Sequence, residues 1–260
     1  MTIFIPYLDE EVIEQDAYDL LAEYARSARV RIAPPIPIED IVEKHLKLLL
    51  EFDDTHRLFG IPRVPESAPD ILGAMFFDSA RVVIDESLDP DVNPAKEGRY
   101  RFTLAHEGGG HWRLHREIFT ANSEQSTLVN DPVMPAVVCR SSQSKERVEW
   151  QADYYASCLL MPSHLLFDAW RKRFGTYDPF IFDPLKHTSM AHRRLSNGPH
   201  LIGNFMKEIF QPDCDSYFDQ IAKQFAQIFR VSTLAMRIRL EKLELLISED
   251  PNQQILDDGV

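Results

Sequence analysis

Apolar residues recur at helical spacing over Glu10–Arg26, where Val12, Ile13, Ala17, Leu20, Leu21 and Tyr24 mark an amphipathic helix. The stretch Ala33–Asp40 is punctuated by prolines and reads as a link. A short helix over Asp40–Leu46 then runs into a strand, Lys47–Phe52. Residues His56–Asp70 hold Gly60, Pro62, Pro65 and Pro69, which predict a loop. Ile71–Phe77 and Arg81–Asp85 predict a hairpin around Asp78-Ser79, with Val82, Val83 and Ile84 supplying β-branched residues.

A helix start follows, with Asn93 as cap and Pro94 at the first helical position. This helix carries Phe102, Leu104 and Ala105 and runs through His106 towards His115. Phe119–Ser142 is polar and proline-bearing, the pattern of a long surface loop. Ser144 is placed to cap a helix over Lys145–Met161, whose Val148, Ala152, Tyr155, Ala156 and Leu159 keep helical spacing. Pro162 ends it, and Ser163 caps another helix closed by Gly175. Thr176–Asn204 has little pattern and reads as a connector. Asp215–Phe229 is helical, with Phe218, Ile221, Ala222, Phe225 and Ile228 on one face. Ser232 caps a last helix carrying Leu234, Met236, Ile238, Leu240 and Leu243, and the tail from Ser248 is acidic.

Charge narrows the classes of function. The chain of 260 residues has 28 Lys and Arg against 41 Asp and Glu, a net charge of −13. That excess argues against a protein that coats nucleic acid or a membrane surface. No apolar run approaches the length of a bilayer crossing. The opening MTIFIPYLDEE lacks a basic stretch and does not read as a secretory signal. Cys139, Cys158 and Cys214 are widely spaced and form no C-x-x-C, so neither a disulfide framework nor a cysteine zinc site is expected. These features make the cytoplasm the expected compartment.

The chemistry concentrates in Leu104–His115, whose sequence is LAHEGGGHWRLH. In a zincin helix, two His four residues apart reach one zinc, and the Glu after the first activates the attacking water. Here His106 and His111 are five residues apart. On a regular helix a four-residue step separates side chains by ~40°, and a five-residue step by ~140°. A straight helix would not aim both rings at one ion. A π-bulge absorbs one residue, and Gly108–Gly110 make such a distortion sterically easy. Glu149, on the next long helix, is the candidate third ligand, and Asp153 one turn further on could orient a ligand His. A rival ligand set needs no bulge: Glu107, His111 and His115 form a single stripe at i, i+4 and i+8.

These residues resemble the ImmA/IrrE metallopeptidases (the DUF955 group). The resemblance rests on Arg101-Phe-Thr-Leu-Ala-His-Glu107, His111-Trp-x-Leu-His115 and Glu149-Trp-Gln-Ala-Asp-Tyr-Tyr-Ala-Ser-Cys-Leu-Leu-Met-Pro162. It extends to Ile71-Leu-Gly-Ala, Val83-Ile-Asp-Glu and Pro37–Glu43 upstream, and to Phe229–Leu240 downstream. It covers about 150 residues, most firmly 71–162. What it implies is an α+β fold: a zincin-like metallopeptidase domain with a small antiparallel sheet packed on helices, then a C-terminal helix-turn-helix-like subdomain. The corresponding division is a peptidase domain over 1–175, a connector over 176–204, the helical subdomain over 205–247 and the tail over 248–260. His106, His111 and Glu149 match the metal ligands, and Glu107 matches the base. The implied cofactor is zinc, with Mn²⁺ the other divalent candidate. The implied activity is hydrolysis of a peptide bond in a helix-turn-helix repressor, which derepresses stress or mobile-element genes. The family spacing is HExxH, and this chain departs from it by one glycine.

Some readings stay open. Tyr154, Tyr155, His187, His192 and His200 are oxyanion-stabilising candidates by residue type alone. Trp112, Leu114 and Trp150 read as core residues and Cys158 as a buried small hydrophobe. The glycine insertion suits a second function, a metal-binding regulator that holds a repressor without cutting it. A third is DNA binding through the last two helices. Residues 186–245 carry nine Lys or Arg against six Asp or Glu, and Arg230-Val231 stands where a helix-turn-helix usually has glycine. Such weakly concentrated charge favours packing or substrate contact over DNA.

Overall fold

The computed structural model describes residues 5–60, 71–123, 137–140, 147–182 and 214–248. Placements expected for Ser144, for most of the 176–204 connector and for the acidic tail lie outside them. The fold is α+β, and the chain divides into two compact units, Met1–Leu166 with Ile228–Val231, and Phe167–Gln227 with Ser232–Val260.

In the first unit, helix α1 (Glu10–Ala28) buries Ile13, Ala17, Leu20, Leu21 and Tyr24, while Val12 is 53% exposed. The proline-rich link is less of a linker than its composition suggests. Ile36 and Ile38 are wholly buried, and they lead into a π-helical turn, Asp40–His45, that buries Ile41 and Val42.

Four strands form one sheet in the order β1 (Leu49–Asp53), β3 (Arg81–Asp85), β2 (Ile71–Phe76), β4 (Val137–Arg140). The β2–β3 hairpin pairs Gly73 with Ile84 and Phe76 with Arg81. β4 runs antiparallel to β2, with an irregularity between Ile71 and Gly73. β1 runs parallel to β3, pairing Leu49 with Arg81 and Asp53 with Asp85. The sheet is therefore mixed, not antiparallel as expected. The cause is connection: α2 (Thr55–Phe59), the 61–70 segment and β2 all intervene between β1 and β3, which allows the crossover that a parallel pair requires. Every residue of β2 is buried, so this strand is covered on both faces.

Two further expectations change. The predicted 56–70 loop starts with helix α2, because Asp54 accepts a hydrogen bond from the Arg57 N–H and Gly60 closes the turn at φ +63°. The predicted 119–142 loop contains the last turn of a helix, through Ser123, and strand β4.

Asn93 does not cap. Its amide donates back to the Ser87 carbonyl at 3.0 Å, and a 3₁₀ turn over Pro94–Lys96 precedes α3 (Glu97–Leu104). α3 continues without a break through a π-helical segment, Ala105–His111, into α4 (Trp112–Ser123). α5 (Arg147–Leu160) packs against this segment and against α1. Trp112, Leu114 and Trp150 are half-buried rather than core residues: Trp112 stacks on Phe77, and Trp150 on Tyr7. Cys158 is buried, as its apolar helix suggests.

The second unit takes up α6 (Ser163–Phe174) from Phe167 onwards. Trp170 stacks on Phe225 of α7 (Cys214–Phe229) at 5.5 Å and donates to the Asp178 carbonyl. Ser232 caps α8 (Thr233–Lys242) by accepting from the Ala235 N–H at 3.1 Å. α8 ends earlier than its apolar spacing suggests, since Leu246–Ser248 forms a strand, β6, parallel to β5 (Phe180–Phe182). α8 buries Met236 and Leu240 and exposes Leu234 and Ile238. No helix among the described residues is long and apolar enough to cross a membrane.

Candidate metal centre

The π-helical segment Ala105–His111 holds the extra residue. Closing its backbone bonds from i to i+5 puts residues five apart on one side. The His106 and His111 rings accordingly meet edge to face, with centroids 4.6 Å apart.

The three glycines have a role that spacing alone does not suggest. Cβ atoms added at each would meet different neighbours. At Gly108 a Cβ would lie 2.8 Å from Val42, and at Gly109 it would lie 3.0 Å from Leu159 and 3.2 Å from Tyr155. At Gly110 it would lie 2.8 Å from the Cα and 2.9 Å from the carbonyl oxygen of Ala152. The glycines let α5 approach backbone to backbone. That approach carries Glu149, three residues before Ala152, to the histidines.

Glu149 Oε2 lies 3.2 Å from His106 Nε2, and Oε1 lies 3.8 Å from His111 Nε2. One ligand atom from each of the three residues falls within 4.8 Å of the others. Bonds of ~2.0–2.1 Å in a tetrahedral shell put neighbouring ligand atoms roughly 3.3 Å apart; the His106–Glu149 spacing matches this, and the His111–Glu149 spacing is wider. His111 Nε2 is buried with no hydrogen-bond partner among the described residues, as an atom awaiting a cation would be. These three residues could hold a metal ion.

Asp153 accepts from Nδ1 of His106 at 2.8 Å, which turns Nε2 towards Glu149. His115 stands outside the cluster. Its Nδ1 faces His111 Nδ1 at 3.0 Å and its Nε2 faces Gln151 Oε1 at 2.8 Å, so both ring nitrogens are engaged. Burial pushes the pKa of His111 well below the ordinary histidine value, helped by the charges of His106 and His115. Burial also lowers His115 to about 4, against the Gln151 hydrogen bond and with the His106 charge.

Glu107 is fully buried, and neither carboxylate oxygen has a hydrogen-bond partner among the described residues. Desolvation raises its pKa to about 8; His106 opposes the shift, while Glu149 and Asp153 add to it. Gly73 of β2 makes the space for this side chain: a Cβ there would lie 3.0 Å from Glu107 Cγ and 2.8 Å from Thr103 Cγ2. Gly73 sits where the β2–β4 register shifts, the kind of irregularity that recurs beside functional sites.

Of the oxyanion candidates, Tyr155 donates its hydroxyl to Asp16 at 3.0 Å, where Arg113 also donates, so it ties α5 to α1. Tyr154 lies on α5 with its ring against Trp150. His187, His192 and His200 lie outside the described residues. Gln151 and Gly73 lie inside the stretches Glu149–Pro162 and Ile71–Ala74 singled out in the sequence, but neither residue type points to a role there; the i, i+2 offset of Gln151 from Glu149 hides a contact made through His115. No protein-family model matches the chain, and a search of curated proteins finds no significant match.

Proposed function

We propose that this protein is a cytoplasmic zinc-dependent endopeptidase with a zincin-like catalytic domain, and that its substrate is a helix-turn-helix repressor. The observation that carries the reading is the convergence of His106, His111 and Glu149 beside Glu107, a buried carboxyl group with no hydrogen-bond partner among the described residues. Two imidazoles and a carboxylate suit zinc better than Mg²⁺ or Ca²⁺, with Mn²⁺ the alternative. A bound zinc ion supplies Lewis acidity and lowers the pKa of water. Glu107 takes the proton from the attacking water and delivers it to the leaving nitrogen. Asp153 holds His106 in place, and the packing of Gly110 on Ala152 holds Glu149 within reach.

The non-cleaving alternative drew its support from the glycine insertion, and the π-helical segment brings the two rings together despite it. DNA binding through α8 has less support. Arg237 is paired with Asp215, Asp219 and Glu241, and Arg239 is buried.

The test combines elemental analysis with intact-mass analysis of co-expressed helix-turn-helix repressors. We expect one zinc per chain in wild type and in Glu107→Gln, and none in His106→Ala, His111→Ala or Glu149→Ala. We expect a single cut in one repressor with wild type and none with Glu107→Gln. A zinc-loaded wild type that binds a repressor and leaves it whole would shift the reading to the regulator.

A further inference from the structure

The two histidines of the cluster are oriented by different devices. His106 gives its Nδ1 proton to a carboxylate, Asp153. His111 has no carboxylate on Nδ1; it faces another histidine. Two neutral imidazoles can share one proton between facing nitrogens in either direction. Only one direction leaves His111 Nε2 unprotonated.

We propose that a directed hydrogen-bond chain from the Pro6 carbonyl sets this direction, with Gln151 and His115 as positioning residues for His111. The proposal rests on the metal-centre reading given above. A backbone carbonyl can only accept. The Gln151 amide atom 2.8 Å from the Pro6 oxygen is therefore the nitrogen, and it donates. That turns Gln151 Oε1, an acceptor, towards His115 Nε2 at 2.8 Å, so His115 carries its proton on Nε2. Its Nδ1 is then a lone pair. His111 Nδ1, 3.0 Å away, must supply the proton between them. The lone pair of His111 lies on Nε2, 3.8 Å from Glu149 Oε1.

Both rings are wholly buried, and the nitrogens of His115 meet an amide and an imidazole, neither of them an anion. The origin of the chain is fixed as well. Arg147 donates to the Ile5 carbonyl at 2.8 Å, and Tyr7 stacks on Trp150, so residues on both sides of Pro6 are held against α5. Reversing the chain would put a proton on His111 Nε2, where a cation must bind.

Nitrogen-15 spectra of the histidine rings in metal-free full-length protein read the proton position directly, and competition against a chelating dye reads zinc affinity. Wild type should show His111 protonated on Nδ1. His115→Phe keeps the ring but removes the acceptor, and Gln151→Met keeps the chain length but releases His115. Both should move proton population onto His111 Nε2 and weaken zinc binding about 10- to 100-fold. His115→Asn puts an amide oxygen near the position of Nδ1 and should keep the wild-type tautomer, with affinity within a few-fold. Should His115→Phe fail to fold, Gln151→Met leaves both histidines in place and carries the test. A wild-type His111 protonated on Nε2 would overturn the proposal. So would a folded Gln151→Met with unchanged tautomer and affinity. A wild type that binds no zinc yet shows His111 protonated on Nδ1 would support the chain and sink the metal reading alone.

Discussion

The three consecutive glycines differ in what each neighbour can yield. Gly110 faces backbone: the Cα and carbonyl oxygen of Ala152 cannot rotate away from a new methyl group. Gly108 faces the β-branched Val42, which is stiff. Gly109 faces the end of Leu159 at 3.0 Å and the edge of Tyr155 at 3.2 Å, and the leucine can shift. Replacing glycine by alanine within a helix contributes about 1 kcal/mol on its own, and overpacking costs about 1–3 kcal/mol. Gly110→Ala should therefore lose about 1–2 kcal/mol in urea denaturation and weaken metal binding by displacing Glu149. Gly109→Ala should fall within about 1 kcal/mol of wild type and keep its metal. Equal losses at the two positions would show that conformational freedom, not close approach, is what the segment needs. The five-residue spacing of His106 and His111 in HEGGGH is plain in the sequence; which glycine faces which neighbour depends on α5, which lies about 40 residues further along the chain.

At the scale of elements, Asp85 at the end of β3 joins three pieces of the sheet unit. It accepts from the Thr55 hydroxyl at 2.8 Å and from the Thr55 and Ser87 backbone N–H groups at 3.2 and 3.0 Å. Burial by itself would raise the pKa of this carboxyl group. The hydrogen bonds from Ser87 and Thr55 together outweigh it and hold the pKa below the ordinary value. The folded pKa is thus depressed relative to the unfolded value of ~3.9. Its stabilisation is complete above the unfolded pKa and is lost as pH falls through the lower, folded one. Asp85→Asn should lose about 1–3 kcal/mol at neutral pH, a loss that is constant from pH ~5 to 8 and shrinks below pH ~4. A mutant deficit that persists undiminished at pH 3 would assign the effect to packing.

The same region shows what periodicity can and cannot reveal. The β2–β3 hairpin was legible because the consecutive β-branched residues Val82, Val83 and Ile84 follow a polar turn around Asp78-Ser79. β4 was not: four residues embedded in a polar, proline-bearing stretch carry no period, and only pairing with β2 defines them. α2 was hidden for the opposite reason. Its single turn depends on the Asp54 cap, and the prolines that follow dominate the pattern. The cluster of His106, His111 and Glu149 was legible by residue type and helix placement, whereas the contact of Gln151 with His115 was not, because it reaches the cluster through a third side chain.

For the whole molecule, all residues of the candidate centre, including the Pro6 carbonyl, belong to the unit Met1–Leu166 with Ile228–Val231. A ligand that binds only the folded state stabilises it by RT ln(1 + [L]/Kd), about 2.7 kcal/mol at 100 times Kd. That energy acts on whatever unfolds cooperatively with the site. The tryptophans are distributed so that the two units can be read separately: Trp112 and Trp150 lie in the first, Trp170 in the second. In a Trp112→Phe, Trp150→Phe variant, fluorescence reports only the second unit. Chelator should then lower the thermal midpoint of the wild type, monitored by near-ultraviolet circular dichroism, by several degrees. It should leave the Trp170 transition of the variant where it was. The variant must first be shown to bind zinc as wild type does, because Trp150 stacks on Tyr7, next to the Pro6 carbonyl. An equal shift of the Trp170 transition would show that the two compact units unfold as one cooperative body. Loss of metal would then destabilise the entire chain rather than the unit that holds the candidate centre.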